Sequence, residues 1–217
     1  MKRLAAIFLF ALAVPAFADT MTFTVVGIDC EGCSAPIVKA LRAVPGVKSV
    51  KLDWKAGVAT VDVPAGFDRE QLHKALTNLG FEAVFPGETR KDLQPLPEAA
   101  NQALDVQTDE EGKKLDLKTL LVPGKVTIVD FYANWCGPCS VLEMRIRNYM
   151  HTHEGFALRR VNVGKWDTPA AVQATREFRA EALPYVRIYD RNGKFVAAVT
   201  GGMWDQVLDG FTKAEAR

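Results

Sequence analysis

The chain has 217 residues, with 27 Lys and Arg against 26 Asp and Glu, and 48% of its residues are hydrophobic. That length allows one or two domains, and the apolar share is ample for their cores. A formal net charge of +1, without basic clusters, gives no electrostatic case for nucleic acid or an acidic membrane surface as a partner.

Lys2 and Arg3 precede an apolar run from Leu4 to Val14, followed by Ala16-Phe17-Ala18. This is the layout of a secretory signal peptide over residues 1–18, with cleavage expected after Ala18. The run is too short to span a bilayer comfortably, so no stable membrane insertion is expected after cleavage. The mature chain keeps 25 basic and 26 acidic side chains, a balance of −1. The implied location is a bacterial periplasm or the cell exterior, where disulfides persist. Yet all four cysteines sit in two C-x-x-C pairs, Cys30/Cys33 and Cys136/Cys139. None is left for ordinary structural bridges, so cysteine use here is chemical rather than architectural.

Residues 19–86 read as one compact unit. Met21 to Ile28 patterns as a strand, and Ser34 to Val44 as an amphipathic helix stopped by Pro45-Gly46. Val47 to Asp53 and Val58 to Val63 alternate with period two around a turn at Lys55 to Gly57. A second helix, Asp68 to Leu79, starts at an Asp68 cap and ends at Gly80, and Phe81 to Phe85 supplies a last strand. The order is βαββαβ, a ferredoxin-like split βαβ.

Between the first strand and first helix lies Gly27-Ile28-Asp29-Cys30-Glu31-Gly32-Cys33. Two thiolates on a loop suit a soft ion of low coordination number, and a helix-start position favours the anionic form of Cys33. The loop and its unit resemble the heavy-metal-associated domain of copper chaperones, mercury-binding proteins and metal-pumping ATPases. Ile28 stands where that family usually has methionine, and Phe81 matches an aromatic position near the metal. The resemblance implies a soft metal at Cys30 and Cys33, with Cu(I) ranked first and Zn(II) or Hg(II) behind. Asp29 is either an additional oxygen ligand, which would shift preference towards Zn(II), or a solvated or helix-capping loop residue. A redox pair that binds no metal is the other reading of Cys30 and Cys33.

Pro86 to Ala103 has no clear period and reads as a linker, with a short helix around Glu98 to Ala103. As a flexible coil it would span about 20–25 Å, enough for the two cysteine pairs to meet. Residues 104–217 form the second unit. Leu104 to Val106 and Lys113 to Leu117 are expected to pair as a hairpin at its start.

Val126 to Tyr132 is an apolar, β-branched run that reads as a buried strand, and Val141, Leu142 and Ile146 recur at helical spacing. The intervening Trp135-Cys136-Gly137-Pro138-Cys139 is therefore a strand-to-helix turn with Cys136 at the helix start. Unpaired amides and the helix dipole stabilise a thiolate there. Further on, Phe156 to Val163 reads as a strand, Thr168 to Phe178 as a helix with Pro169 in its first turn, and Tyr185 to Tyr189 as a strand.

These residues resemble the thioredoxin active site and its surroundings, from near Leu104 to the end. The resemblance implies a thioredoxin fold with a central mixed sheet, and so an α/β protein throughout. It also implies roles: Cys136 as nucleophile, Cys139 as resolving thiol, Asp130 as the buried aspartate that helps move the second cysteine's proton, and Pro184 as the cis-proline beside the pair. Trp135, Gly137 and Pro138 complete the motif, and Gly137-Pro138 resembles reducing thioredoxins more than strong oxidants. Trp166 either lines a substrate surface or packs. His151 and His153 read as a solvated helix end rather than an auxiliary metal site, and His73 as solvent-facing. A joint four-cysteine zinc site does not fit two pairs about a hundred residues apart in different folds.

The expected function is that of an exported thiol–disulfide oxidoreductase, acting as reductant, that maintains metal-binding thiols. It uses no organic cofactor. Its partners are a protein disulfide or metal-binding client and a membrane thiol reductase as electron donor. The alternative is a periplasmic metal carrier or scavenger whose second half is a docking scaffold.

Overall fold

The computed structural model describes residues 18–217, so residues 1–17 of the expected signal peptide lie outside it. The first unit is built from β1 (Ala18–Val26), α1 (Ser34–Arg42), β2 (Ser49–Asp53), β3 (Val58–Pro64), α2 (Glu70–Thr77) and β4 (Glu82–Val84). Its sheet has the order β2-β3-β1-β4, with every neighbour antiparallel. Period-two alternation turns Phe23 and Val25 of β1 and Ala59, Val61 and Val63 of β3 to one buried face. Two helices cover that face, each with an i,i+4 pair: Ile37 and Leu41 on α1, Leu72 and Leu76 on α2. Asp68 Oδ1 accepts the Glu70 amide at 3.0 Å at the start of α2. This is the ferredoxin-like fold that the element order predicts.

The connecting segment is not a free coil. A 3-10 turn at Lys91–Leu93 and α3 (Glu98–Gln102) lie along a long helix of the second unit, α5 (Gly137–Thr152). Leu93 is buried, Asn148 Nδ2 donates to the Gln94 carbonyl at 2.9 Å, and Arg147 Nη1 donates to Asn101 Oδ1 at 2.8 Å. An apolar anchor and side-chain donors on α5 make this stretch a strap rather than the flexible span its prolines suggest.

The second unit runs β5 (Val106–Thr108), α4 (Leu117–Leu120), β6 (Val126–Tyr132), α5 (Gly137–Thr152), β7 (Phe156–Asn162), α6 (Pro169–Arg176), β8 (Tyr185–Tyr189), β9 (Phe195–Thr200) and α7 (Trp204–Glu215). The sheet order is β5-β7-β6-β8-β9. β5 and β6 run parallel to β7, whereas β8 is antiparallel to β6 and β9. Every residue of β6 and β7 is buried, as a central strand covered on both faces requires. The mixed sheet is the one expected from the sequence.

The expected hairpin at residues 104–117 does not form. β5 pairs with β7, with Val106 opposite Leu158, and residues 113–116 carry no strand. The reason is local: Gln173 of α6 accepts the Leu115 amide and donates to its carbonyl, both at 3.0 Å. That side chain takes the backbone groups a partner strand would need.

The two units pack against each other. Arg145 Nη1 on α5 lies 2.8 Å from Glu82 Oε1 on β4, and its Nε lies 3.0 Å from Asp92 Oδ2. Gly27, in the loop after β1, has φ +93, and a Cβ there would meet Val141 Cγ2 of α5 at 2.6 Å. Glycine is required twice over at this position, by conformation and by contact.

Candidate functional site

β6 delivers the chain into a turn, and Cys136 becomes the N-cap of the 16-residue α5, with Pro138 in the first turn. The Cys139 amide donates to the Cys136 carbonyl at 3.0 Å, and the two Cα atoms stand 5.3 Å apart, joined by a disulfide. Cys136 is 6% and Cys139 1% exposed, so Cys136 is the more accessible sulfur. Trp135 is half exposed, anchored by its Nε1 donating to the Gly164 carbonyl at 2.6 Å. Its ring centroid lies 6.4 Å from that of Trp166, which is also exposed. Trp166 thus sits on the surface beside the motif rather than in the core.

The Leu183–Pro184 bond is cis, and the Pro184 carbonyl accepts the Gly201 amide at 2.7 Å. Asp130 is fully buried on β6. Its Oδ2 accepts Arg160 Nε at 3.2 Å, while its Oδ1 has no hydrogen-bond partner. Burial raises the carboxyl to about 6, with the Arg160 guanidinium pulling in the opposite direction. Arg160 also stacks on Tyr132, 3.6 Å from the ring centroid, and pairs with Glu143 at 2.8 Å. Arg160 and Glu143 were not singled out from sequence. The signal was there, since Arg159-Arg160 interrupts an otherwise mostly apolar strand, and a charge carried into a buried strand demands a partner.

On the first unit, Cys30 caps a 3-10 turn at Glu31–Cys33 by accepting the Cys33 amide on its sulfur, 3.1 Å away. Cys30 and Cys33 are likewise joined as a disulfide, with Cα atoms 5.3 Å apart. Ligand atoms of Asp29, Cys30 and Cys33 all lie within 4.8 Å of one another. Two sulfurs and a carboxylate at that spacing fit a soft or borderline metal ion once the disulfide is reduced. Burial pushes the Asp29 carboxyl up, and its own amide and that of Gly137 work against the rise. Asp29 therefore faces the start of α5, a placement the sequence does not reveal.

His151 and His153 are exposed, and His153 stacks flat on Tyr149 with centroids 3.8 Å apart. His73 is not solvent-facing as expected. Its side chain is 14% exposed, its Nε2 lies 3.6 Å from Glu88 and its Nδ1 is buried without a partner. Leu72 and Leu76 turn α2 inward, and the adjacent His73 is carried against the Phe85 ring, 5.3 Å between centroids.

Residues 22–82 match the heavy-metal-associated domain family, and residues 113–214 match the thioredoxin family. The thioredoxin of Mycoplasmoides gallisepticum is 32% identical over 81 residues, covering 37% of this chain and 75% of the relative. The chain belongs to the thioredoxin family. Thioredoxin-1 of Caenorhabditis elegans is 29% identical over 85 residues, covering 39% of this chain and 69% of that protein. Among solved structures, oxidised MerP from Ralstonia metallidurans CH34 is 27% identical, covers 32% of this chain and 97% of that one, and has a TM-score of 0.30. The chain is thus a thioredoxin domain fused behind a heavy-metal-associated domain, a thiol–disulfide oxidoreductase with a metal-binding module. Among the described residues no helix is long and apolar enough to cross a membrane.

The state of Asp130 carries a measurable consequence. A carboxyl raised to about 6 in the fold, against its ordinary value of 3.8, binds its proton more tightly when folded. Its contribution to stability is therefore full below pH 4 and is lost as pH rises towards 6, by about 2–3 kcal/mol. Asp92 and Asp105, whose carboxyls are lowered despite burial by Arg90 and Arg145 and by Lys125 and Arg159, lose their contributions only below pH 4. Asp130→Asn is expected to flatten the fall in melting temperature between pH 4 and 6 and to stabilise the chain at pH 7. Calorimetry across that range checks it, and an unchanged profile would remove the burial argument.

Proposed function

We propose that the chain is an exported reductant of protein disulfides that keeps soft-metal-binding thiols reduced. Cys136 attacks the client disulfide, Cys139 resolves the mixed disulfide, Asp130 handles the proton of Cys139, and Pro184 positions the client chain. The observation that carries this reading is Cys136 at the N-cap of α5, the more exposed of the pair, where helix amides favour a thiolate. Gly137-Pro138 between the cysteines, and the signal-peptide layout of residues 1–18, support a reducing role in an oxidising compartment. Such a role needs electrons from outside, for which a membrane thiol reductase is the proposed donor. The client is a metal-binding protein or the chain's own first domain, because thiols must be reduced before they can ligate.

Cys30 and Cys33 would hold the metal, with Cu(I) favoured by two thiolates and Zn(II) or Hg(II) as alternatives. Asp29 favours Zn(II) if its carboxylate ligates, since oxygen is a harder donor. Mature protein from Asp19 is expected to reduce a generic protein disulfide with dithiothreitol as donor, and to bind one Cu(I). Cys30→Ser should abolish binding and leave disulfide reduction intact. Asp29→Ala should weaken Zn(II) about ten-fold or more, with little change for Cu(I). Metal binding without disulfide reduction would favour instead a carrier with an idle second domain.

A further inference from the structure

The two domains meet glycine against glycine at the redox face. A Cβ on Gly202, just after β9, would lie 2.6 Å from Gly80 Cα, and the three atoms nearest to it all belong to Gly80. A Cβ on Gly80 would reach Pro138 Cβ at 3.0 Å and Gly202 N at 3.1 Å. On the other flank, the Gly27 carbonyl occupies the place where a Cβ on Gly137 would fall, with Asp29 Oδ1 2.9 Å from the same point. The metal loop and the turn after α2 therefore rest on Gly137, Pro138, Val141 and Gly202. Gly202 lies beside Gly201, whose amide is bound to the cis-Pro184 carbonyl.

An incoming disulfide must lie on this same face to present a sulfur to Cys136. The contact is also clamped: Arg145 is 3% and Glu82 1% exposed, and their ion pair joins α5 to β4 across the boundary. A polar pair so fully withdrawn from water specifies one docked arrangement rather than a loose encounter.

We infer that the oxidised Cys30–Cys33 loop is the substrate of Cys136 in cis, and that other disulfides reach the redox face only when the first domain undocks. This rests on the nucleophile role proposed above. The Cys136 thiolate attacks one sulfur of Cys30–Cys33, that bond breaks, and the other loop cysteine leaves as a thiolate and takes a proton. Cys139, losing its proton, then attacks the Cys136 sulfur of the mixed disulfide. The second loop cysteine is released as a thiolate and Cys136–Cys139 forms. Two electrons pass from one pair to the other, so no further reductant enters the step. Tethering makes it unimolecular, at effective concentrations of about millimolar or above.

The test uses the mature full chain with Cys30–Cys33 oxidised and Cys136–Cys139 reduced, sampled by rapid alkylation and peptide mass spectrometry. Reduction of oxidised insulin is followed in parallel. The disulfide should move to Cys136–Cys139 at a rate independent of protein concentration. Gly202→Ala, whose new methyl meets only the other domain at first approach, should slow this transfer about ten-fold or more and speed insulin reduction by a similar factor. Arg145→Met carries the same expectation should Gly202→Ala fail to fold. Persistence of Cys30–Cys33 while insulin is reduced overturns the inference and leaves the oxidoreductase reading standing. Both rates unchanged in the variants also overturns it. Loss of insulin reduction and transfer alike, in the unaltered chain, sinks both readings.

Discussion

Cys136→Ser is expected to lower disulfide reduction by at least about a thousand-fold, whereas Cys139→Ser should stall the protein as a mixed disulfide with its client. The asymmetry follows from position. Cys136 is the N-cap of α5, and Cys139 lies one turn in at 1% exposure, behind it. A serine hydroxyl at the helix start stays protonated at neutral pH and cannot form the sulfur–sulfur bond on which exchange depends, so the whole covalent route closes. With Cys139 removed, attack still occurs but the thiol one turn along α5 that would resolve the product is gone. Non-reducing electrophoresis after mixing with an oxidised client would show a one-to-one adduct for Cys139→Ser and none for Cys136→Ser. An adduct formed equally well by Cys136→Ser would transfer the nucleophile role to Cys139.

Much of this site was legible in the sequence because its signals are local. The run Val126 to Tyr132 is all apolar or β-branched except Asp130, and in the fold every one of its residues is buried. A strand of that kind, followed by Cys-Gly-Pro-Cys and then apolar residues at helical spacing, leaves little choice about where Cys136 lies. The same holds for the alternation in Val58 to Val63, which places β3 at the heart of its sheet. What escaped was carried by long-range partners. Leu115 lies in a stretch that patterns as a strand, but Gln173, 58 residues on, ties up its backbone. Pro95 and Pro97 suggest a loose linker, but Leu93 and Asn148 hold it to α5. Asp29 is an ordinary loop carboxylate until Gly137 is brought up to it by an interface between two folds. No period or motif encodes such a meeting, because glycine reveals close approach only when the approaching atom is known.

The Arg145–Glu82 pair is where that interface should yield the largest loss of stability. Both side chains are withdrawn from water, so truncating one strands a charge whose hydration was given up on folding. Such losses run to about 3–5 kcal/mol. The two directions are not equivalent, however. Glu82 without Arg145 keeps Thr77 Oγ1 at 2.9 Å and Arg90 Nη1 at 3.3 Å. Arg145 without Glu82 keeps only Asp92 at 3.0 Å, on the strap, and the face of Trp204 at 5.8 Å. Glu82→Ala is therefore expected to cost more than Arg145→Ala, with the latter at the lower end of that range. Replacing both by methionine should recover most of either loss, since both side chains are buried and two apolar chains of similar length can take their place. Calorimetry of the two single variants and the double would measure this as a coupling energy. The shape of the transition is as informative as its midpoint. If the pair locks the domains, the unaltered chain melts in one step, and Glu82→Ala melts in two as the domains lose their common boundary. One step in all three proteins, with additive losses, would assign the pair to the internal stability of a single domain instead.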